Sequence, residues 1–276
     1  MELNNAISKT QLTTNSNKDS LNDIYSKKFS IIIPAYNEEK RIKPVLEDLS
    51  NYISLSQLPW EIIVAVDGDD GTEDIVNLYH NKYPFVRSKK ASGRNGMGGG
   101  IRRGILASTG EYLFLMDGDG SSSFQSMIQS LELLREYDIV NFNRYSQIEN
   151  KIPLKRRLAS RSFNLMLKVI FGIRVSDTQC GYKIMRRVAV MPIVNRLTVS
   201  NAFFLSALFI YAKKYGVSVI EKPLKYEHKN GSKFNVVMTS ISYIVSITAF
   251  KIRNSKLYDY MPKSFSELYY KKLRHL

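Results

Sequence analysis

Glu111-Tyr-Leu-Phe-Leu-Met-Asp117-Gly-Asp119-Gly-Ser121 is the segment of this sequence that gives the clearest indication of its fold. The apolar run before Asp117 predicts a buried, parallel strand that ends directly in two carboxylates. Ligands of α/β sheets bind in the crevice beyond the carboxyl ends of the strands, so we expect Asp117 and Asp119 to face such a crevice. Two neighbouring carboxylates repel each other unless a cation lies between them, and oxygen ligands suit Mg²⁺ or Mn²⁺. The alternative is an acidic turn in which the two glycines supply backbone freedom.

Strand and helix patterns alternate on both sides of this stretch. Short apolar runs predict further strands at residues 29–33, 61–66, 85–87 and 138–142. Helices are predicted near residues 40–53, up to residue 80, up to residue 108 and up to residue 137. This alternation predicts an α/β fold with a mostly parallel, Rossmann-like central sheet flanked by helices.

Two further motifs extend the predicted site. The strand at residues 61–66 is followed by Asp67, Asp69 and Asp70, and residues 93–100 form a glycine-rich run that opens a helix. Such a run is either a plain turn or a set of backbone N–H groups facing a diphosphate. It lacks the Lys-Ser/Thr of a Walker A loop, and it follows the third strand where a dinucleotide fingerprint follows the first. Acidic strand ends beside a glycine-rich helix start predict a site for a nucleotide and a metal.

Together these elements resemble the family 2 glycosyltransferases, which have a GT-A fold. The resemblance rests on Ser30-Ile-Ile-Ile-Pro-Ala-Tyr-Asn-Glu-Glu39, Val66-Asp-Gly-Asp-Asp-Gly-Thr72, Asn95-Gly-Met-Gly-Gly-Gly100 and Asp117-Gly-Asp119. In the second half, Ser176-Asp-Thr-Gln-Cys-Gly-Tyr-Lys183 and the segment from Glu221 to Lys233 resemble the polyprenyl- and dolichyl-phosphate sugar synthases. The Asp-Thr-Gln-Cys-Gly form is nearer to the dolichyl-phosphate glucosyltransferases than to the mannose enzymes. The resemblance covers residues 28–235.

The resemblance implies an inverting, metal-dependent transfer of a hexose from a nucleotide-sugar to the phosphate of a polyprenyl or dolichyl phosphate. A UDP-sugar such as UDP-glucose is the favoured donor, with a GDP-sugar as the alternative. It also implies roles for individual residues. Catalysis and the binding of Mg²⁺ or Mn²⁺ would fall to Asp117 and Asp119. The nucleotide-sugar would contact Pro34, Tyr36, Glu38, Asp67, Asp69, Asn95, Gly96, Gly98 and Asp117, with either Asp67 or Asp69 on the base. The acceptor phosphate would contact Arg144 and Arg161, and weaker candidates are Asp177, Gln179, His228, Ser232 and Lys233.

One residue departs from the family pattern in the glycine-rich run. Met97 stands where the family often has Lys, so Arg94, Arg102 or Arg103 is expected to supply the missing charge.

Positive charge is concentrated in one part of the chain. The formal charge is +15, and residues 144–187 hold 11 Lys or Arg and two acids. The interpretation that needs no binding partner is a basic helix exposed to solvent. However, the segment also has apolar residues at helical spacing, and this combination suits the headgroup region of an anionic membrane. These apolar residues are Leu158, Leu165, Met166, Val169 and Ile170. Nucleic acid is not expected as a partner, because no recognised nucleic-acid-binding module is present.

A second departure bears on the acceptor. Related enzymes carry an acid in the helix before residue 212, but residues 201–208 read Asn-Ala-Phe-Phe-Leu-Ser-Ala-Leu. A hydroxyl acceptor needs a general base, whereas a phosphomonoester is largely dianionic at neutral pH and can attack unaided. A lipid phosphate is therefore favoured. The alternatives are a family 2 enzyme acting on a hydroxyl in polysaccharide or glycolipid synthesis, and a non-catalytic nucleotide-sugar- or lipid-binding relative.

Three segments are predicted: a polar leader at residues 1–27, a glycosyltransferase domain at 28–235 and amphipathic, basic helices at 236–276. In the last segment Val237, Ile241, Ile244, Val245 and Ile252 have helical spacing, which fits either a core helix or one at a membrane interface. No apolar segment reaches the roughly 20 residues of a membrane-spanning helix. We expect a peripheral protein on the cytoplasmic face of a membrane, with the single Cys180 as a buried structural thiol. The sequence indicates no oligomeric state.

Overall fold

The computed structural model describes residues 24–147, 152–227 and 236–255, without the side chains of Ser126 and of residues 236–242. The chain forms a seven-stranded sheet with helices on both faces. The strands are β1 (Phe29–Tyr36), β2 (Glu61–Asp67), β3 (Val86–Lys90), β4 (Tyr112–Leu115), β5 (Ile139–Asn143), β6 (Lys183–Arg186) and β7 (Val219–Pro223).

The sheet is mostly parallel, as the sequence predicts. Its strand order is β3-β2-β1-β4-β6-β5-β7. Strand β6 runs antiparallel to both of its neighbours, β4 and β5, and the other four pairings are parallel. Because β1, β2 and β4 are adjacent and parallel, their carboxyl ends meet at one edge. That edge carries Tyr36, Asp67 and Asp117.

The helices are α1 (Ile42–Leu55), α2 (Thr72–Lys82), α3 (Gly96–Ala107), α4 (Phe124–Ile128), α5 (Leu154–Phe171), α6 (Arg187–Arg196), α7 (Phe203–Lys214) and α8 (Val236–Arg253). The prediction of one helix up to residue 137 is wrong, since α4 is short and a 3₁₀ helix follows it at Leu131–Arg135. Between them the N–H of Ser130 donates to Met127 O at 2.9 Å and the N–H of Leu133 to Ser130 O at 3.2 Å. Both bonds reach back three residues, the spacing of a 3₁₀ helix, so the α-helical ladder stops here.

The core has two halves, one on each face of the sheet. Alternate residues of β4 point to opposite faces, so Phe114 packs with Phe29 and Trp60, while Leu113 packs with Phe204 on the other face. Cys180 is fully buried, and burial raises the pKa of its thiol to about 12. This confirms the predicted structural thiol.

Helix α8 is part of the second half of the core. It packs on α5 and α7 and buries Tyr243, Ile247 and Phe250. Ile244, from the predicted apolar stripe, is instead 51% exposed on the outer side. Within the described ranges, none of the helices is long and apolar enough to cross a membrane.

Candidate active site

Two carboxylates lie just beyond the carboxyl end of β4. Asp119 accepts hydrogen bonds from the backbone N–H of Ser121 at 2.9 Å and from its hydroxyl at 2.5 Å. Burial and the nearby charge of Asp119 raise the pKa of Asp117 to about 6, although Arg144, Lys183 and Arg156 oppose the shift. The carboxylates of Asp117 and Asp119 therefore lie near enough to interact electrostatically.

A glycine lets the chain close over Asp117. A Cβ at Gly181 would lie 2.1 Å from Asp117 Oδ1, so a larger residue at this position would displace the carboxylate. The backbone of the turn before β6 thus forms one wall of the acidic site.

The acidic site fits a divalent cation whose remaining ligands come from outside the protein. In the described parts of the chain, no group of three or more His, Cys, Asp or Glu side chains is arranged so that it could hold a metal ion. Mg²⁺ sites typically use one or two carboxylates together with water and substrate phosphates. Asp117 and Asp119 offer this set, and burial together with the charge of Asp119 makes a negative charge on Asp117 unfavourable, which a cation would relieve.

The glycine-rich run opens α3 and packs against the loop before α7. Gly96 has a φ of 69°, and a Cβ there would lie 2.7 Å from the carbonyl oxygen of Ser200. At Gly98 a Cβ would lie 2.5 Å from the carbonyl oxygen of Asn201. The N–H of Gly99 donates to Ser200 O at 3.0 Å. The glycines are therefore required by close packing at this point.

A cavity of 610 Å³ lies beside this run. Its lining includes Tyr36, Asn37, Gly68, Asp69, Lys90 and Arg94. The Arg94 guanidinium lies 4.6 Å from the centre of the Tyr36 ring. An aromatic ring, carboxylate oxygens and cations together suit a nucleoside with its phosphates.

The three arginines near Met97 have different partners. Arg103 forms an ion pair with Asp67 at 2.7 Å, and Arg102 donates to Val194 O at 3.2 Å. Arg94 lies at the cavity, which makes it the member of the three best placed to supply the charge that Lys supplies elsewhere in the family.

Asp67 and Asp69 also differ. Asp67 is 5% exposed, and besides Arg103 it accepts the N–H of Asn95 at 3.0 Å. Asp69 is exposed and lines the cavity. Asp67 therefore braces the start of the glycine-rich run, and Asp69 has the more direct access to a base.

The other predicted donor residues lie on or just after β1. Pro34 pairs with Ala65 of β2, and Tyr36 is 37% exposed at the cavity. Glu38 forms an ion pair with Arg41 at 2.7 Å, and its N–H donates to Thr72. Their roles stay predictions.

On the acceptor side, Arg144 and Asp177 form a buried ion pair. The Arg144 Nε and Nη2 atoms each donate to the Asp177 carboxylate at 2.8 Å. Asp177 is fully buried, and its charge is neutralised by this pair. Arg144 still acts on Asp117, because its positive charge lowers the pKa of that carboxyl.

Arg156 is a cation that the sequence analysis did not single out. Burial raises the pKa values of Asp117, Tyr226 and Tyr243, and the positive charge of Arg156 opposes this rise, so Arg156 lies within electrostatic range of these groups. Arg161, which was predicted instead, is exposed on α5. Helical spacing could have found Arg156, since it lies seven and eleven residues before the buried Phe163 and Leu167.

Gln179 links three elements behind the acidic site. Its Nε2 donates to Ser206 of α7 at 2.5 Å, and its Oε1 accepts from the Tyr243 hydroxyl of α8 at 2.8 Å. Gln179 thus connects the turn before β6 to α7 and α8 through hydrogen bonds. The weaker candidates His228, Ser232 and Lys233 lie outside the described residues.

A buried polar network holds the same turn from the sheet side. Lys183 is fully buried and donates to Asn141 Oδ1 at 2.7 Å and to Cys180 O at 2.6 Å. Burial lowers the pKa of Lys183 to about 8. Glu221 accepts the N–H of Ser176 at 2.8 Å. Lys183 ends a motif that the sequence analysis quoted, but its burial and that of Asn141 could not be predicted, because both depend on the pairing of β5, β6 and β7.

Comparison with known sequences places this geometry in a family. The family model for glycosyl transferase family 2 matches residues 30–193. A dolichyl-phosphate beta-glucosyltransferase of Dictyostelium discoideum is 26% identical, over 86% of this chain and 77% of that protein. One from Trichomonas vaginalis is 30% identical, over 75% of this chain and 66% of that protein.

The fold is similar to that of solved glycosyltransferases. Glucosyl-3-phosphoglycerate synthase from Mycobacterium tuberculosis, in complex with Mn²⁺ and uridine-diphosphate-glucose, superposes with a TM-score of 0.62. The match covers 83% of this chain and 82% of that one at 15% identity. This likeness confirms the predicted GT-A fold.

Proposed function

Because the chain belongs to glycosyl transferase family 2 and is a glycosyltransferase, we propose that it transfers glucose from UDP-glucose to the phosphate of a dolichyl or other polyprenyl phosphate. The proposal is supported by the names of its relatives, which are dolichyl-phosphate beta-glucosyltransferases. Its main structural support is that the charges of Asp119, Arg144 and Arg156 all act on Asp117, beyond the carboxyl end of β4.

The donor fits the cavity beside α3. The uracil ring would lie against Tyr36 and Arg94, within reach of Asp69. The diphosphate would extend past the amino end of α3 towards Asp117 and Asp119. A helix amino end attracts anions, because its first N–H groups have no partner within the helix.

A divalent metal, Mg²⁺ or Mn²⁺, would be held by Asp117 and Asp119. When bound, such an ion supplies positive charge that stabilises a departing nucleoside diphosphate. A solved structural neighbour has Mn²⁺ together with uridine-diphosphate-glucose, which supports this cofactor.

The acceptor phosphate would be bound by Arg156, beside the Arg144–Asp177 pair. Arginine suits this task because its guanidinium can donate to two phosphate oxygens at once. A phosphate oxygen would attack the anomeric carbon of glucose from the side opposite to the diphosphate. The new C–O bond forms as the bond to the diphosphate breaks, UDP leaves, and the anomeric configuration inverts.

This attack needs no general base. The acceptor phosphate carries most of its second negative charge at neutral pH. Asp177, an acid near the acceptor side, is bound to Arg144 and does not need to take a proton. Residues 201–208, where related enzymes carry an acid, contain none.

The lipid chain of the acceptor implies a membrane surface as partner. Helix α5 exposes one stripe of apolar side chains, and two cations lie along the same stripe. The apolar members are Leu154, Leu158, Leu165 and Val169, and the cations are Arg161 and Lys168. Such a stripe suits the headgroup region of an anionic membrane. We call these six residues the α5 outer stripe.

Transfer of label to lipid tests the proposal. Radiolabelled UDP- and GDP-sugars would be incubated with dolichyl phosphate and Mn²⁺, and organic-extractable label would be counted. We expect label from UDP-glucose that is lost with EDTA and in Asp119→Asn. Donor binding without transfer from any sugar would contradict the proposed reaction.

A further inference from the structure

Tyr182 lies at the boundary between the core and the acidic site. Its side chain is fully buried and belongs to the core half that contains Phe114, Phe142 and Tyr226. Its backbone carbonyl accepts the N–H of Phe142 at 3.3 Å. The residue before it, Gly181, is the one that touches Asp117. The ring is therefore fixed next to the site by packing and by strand pairing.

The Tyr182 hydroxyl has no hydrogen-bond partner among the residues that the structure describes. Buried hydroxyl groups nearly always have a partner, and leaving one without a partner is unfavourable. A phenylalanine would fill the same space without this disadvantage. The hydroxyl therefore requires an explanation, and a group absent from the protein itself would provide it.

The surroundings of the hydroxyl indicate which group this is. Burial, followed by the charges of Asp117 and Asp119, raises the pKa of Tyr182 well above its ordinary value. Gly181, the neighbour of Tyr182 in the chain, packs against Asp117, so the ring lies beside the acidic site. A phenol can donate its O–H, and a ligand of the two carboxylates would bring an acceptor oxygen to this place.

We propose that the Tyr182 hydroxyl donates a hydrogen bond to an oxygen bound to the divalent metal at Asp117 and Asp119. This inference rests on the proposed function, because it requires the metal. The oxygen belongs either to a water molecule or to the donor's diphosphate. Tyr182 is thus a residue that positions the metal's outer ligands and increases its affinity.

Tyr182→Phe tests this role, because it removes the hydroxyl and keeps the ring. Mn²⁺ binding would be measured by the loss of the free-ion electron paramagnetic resonance signal, with Mn²⁺ alone and with Mn²⁺ plus UDP. We expect binding about tenfold weaker than in the wild type, the usual effect of losing a partner of a metal ligand. Weakening in both arms identifies water as the partner, and weakening only with UDP identifies a diphosphate oxygen.

Two further measurements separate this role from a structural one. Chemical denaturation without metal should give Tyr182→Phe a midpoint equal to or above that of the wild type, since no hydrogen bond is lost. Tyr112→Phe, which changes a tyrosine stacked on Phe29, is the matched control and should bind Mn²⁺ like the wild type. Unchanged Mn²⁺ affinity of Tyr182→Phe, both without and with UDP, would overturn the inference whatever the midpoint. Failure of the wild type to bind Mn²⁺ in either arm would contradict the proposed metal site itself, and the inference with it.

Discussion

Arg156 and Arg161 belong to the same helix but face different surroundings. Five residues correspond to about 140° around a helix. Arg156 lies on the side of the buried Phe163 and acts on Asp117, while Arg161 lies in the α5 outer stripe. We therefore propose different tasks for these two arginines, with Arg156 at the acceptor phosphate and Arg161 at the protein surface.

Substitution of each arginine by glutamine separates these tasks. Arg156→Gln should lower kcat/KM for the lipid acceptor about ten- to a hundredfold, the effect of losing a hydrogen bond between charged groups. Arg161→Gln is the matched control. Its kcat/KM for the lipid acceptor should stay within about twofold of the wild-type value in detergent, where no membrane surface contributes. Steady-state kinetics with varied acceptor would measure both, and a large loss in Arg161→Gln alone would contradict the assignment.

Glu61 is a structural carboxylate at the opposite end of β2. Burial alone would raise its pKa, but hydrogen bonds from Ser30, Thr109 and Arg87 outweigh it and lower the pKa to about 2. A carboxyl whose pKa is lowered by folding stabilises the protein above its unfolded pKa of 4.5, and this stabilisation is lost as the pH falls towards 2.

In Glu61→Gln, the free energy of unfolding should therefore depend less on pH between about pH 4.5 and pH 2. The wild-type free energy of unfolding should fall by about 2 kcal/mol more than that of Glu61→Gln over this pH range. Urea unfolding at several pH values would measure it. Equal pH slopes in the two proteins would contradict the role of these hydrogen bonds.

At the scale of elements, the amino end of α3 depends on its contact with the loop before α7. Gly98→Ala would place a Cβ 2.5 Å from both Asn201 O and Phe204 Cβ. Overpacking of this kind costs about 1–3 kcal/mol, so we expect such a loss of stability together with weaker binding of UDP.

Gly93→Ala provides the comparison within the same run. A Cβ at Gly93 meets nothing within 4 Å in the described parts of the chain. The free energy of unfolding of Gly93→Ala should stay within about 0.5 kcal/mol of the wild-type value, the usual range for surface substitutions. Denaturation of the two variants side by side would measure the difference, and equal stabilities would show that the α3 contact is not tight.

Five of the seven strands could be predicted from the sequence, and two could not. Apolar runs predicted β1, β2, β4 and β5, because each of these strands buries several successive side chains. The short run at residues 85–87 also indicated β3, although Val86 is the only buried residue of that strand. Strands β6 and β7 were missed: Lys183-Ile-Met-Arg186 has charged ends, and Val219-Ile-Glu-Lys-Pro223 has only two apolar residues before its charges. Their pairing with β4 and β5 comes from tertiary contacts.

The same holds for the candidate site. The acidic strand end and the glycine-rich run could be recognised locally, since their residues are adjacent in sequence. The buried partners of the site, Lys183 and the Tyr182 hydroxyl, could not, because their burial arises only when distant strands pair.

At the scale of the whole molecule, the α5 outer stripe is the surface on which membrane binding is expected to depend. Leu165 and Val169 are 60% and 77% exposed. The double variant Leu165→Gln, Val169→Gln should bind vesicles containing anionic lipid about tenfold more weakly, since two apolar side chains no longer enter the lipid.

A matched control lies on another part of the surface. Leu78 of α2 is 67% exposed, and Leu78→Gln should sediment with the vesicles like the wild type. Added salt should weaken the binding of the wild type, because the stripe also carries cations. Equal vesicle binding by the double variant and the wild type would contradict a role of the α5 outer stripe in membrane binding.

The central claim is that the acceptor group is a phosphate, and a comparison of dolichyl phosphate with dolichol tests it most directly. The two lipids would be offered at equal concentration with labelled UDP-glucose and Mn²⁺, and the label in the organic phase would be counted. Transfer to dolichyl phosphate and none to dolichol is expected, because Arg156 is proposed to bind a phosphate and residues 201–208 contain no carboxylate that could deprotonate a hydroxyl. Transfer to dolichol at a comparable rate would contradict it.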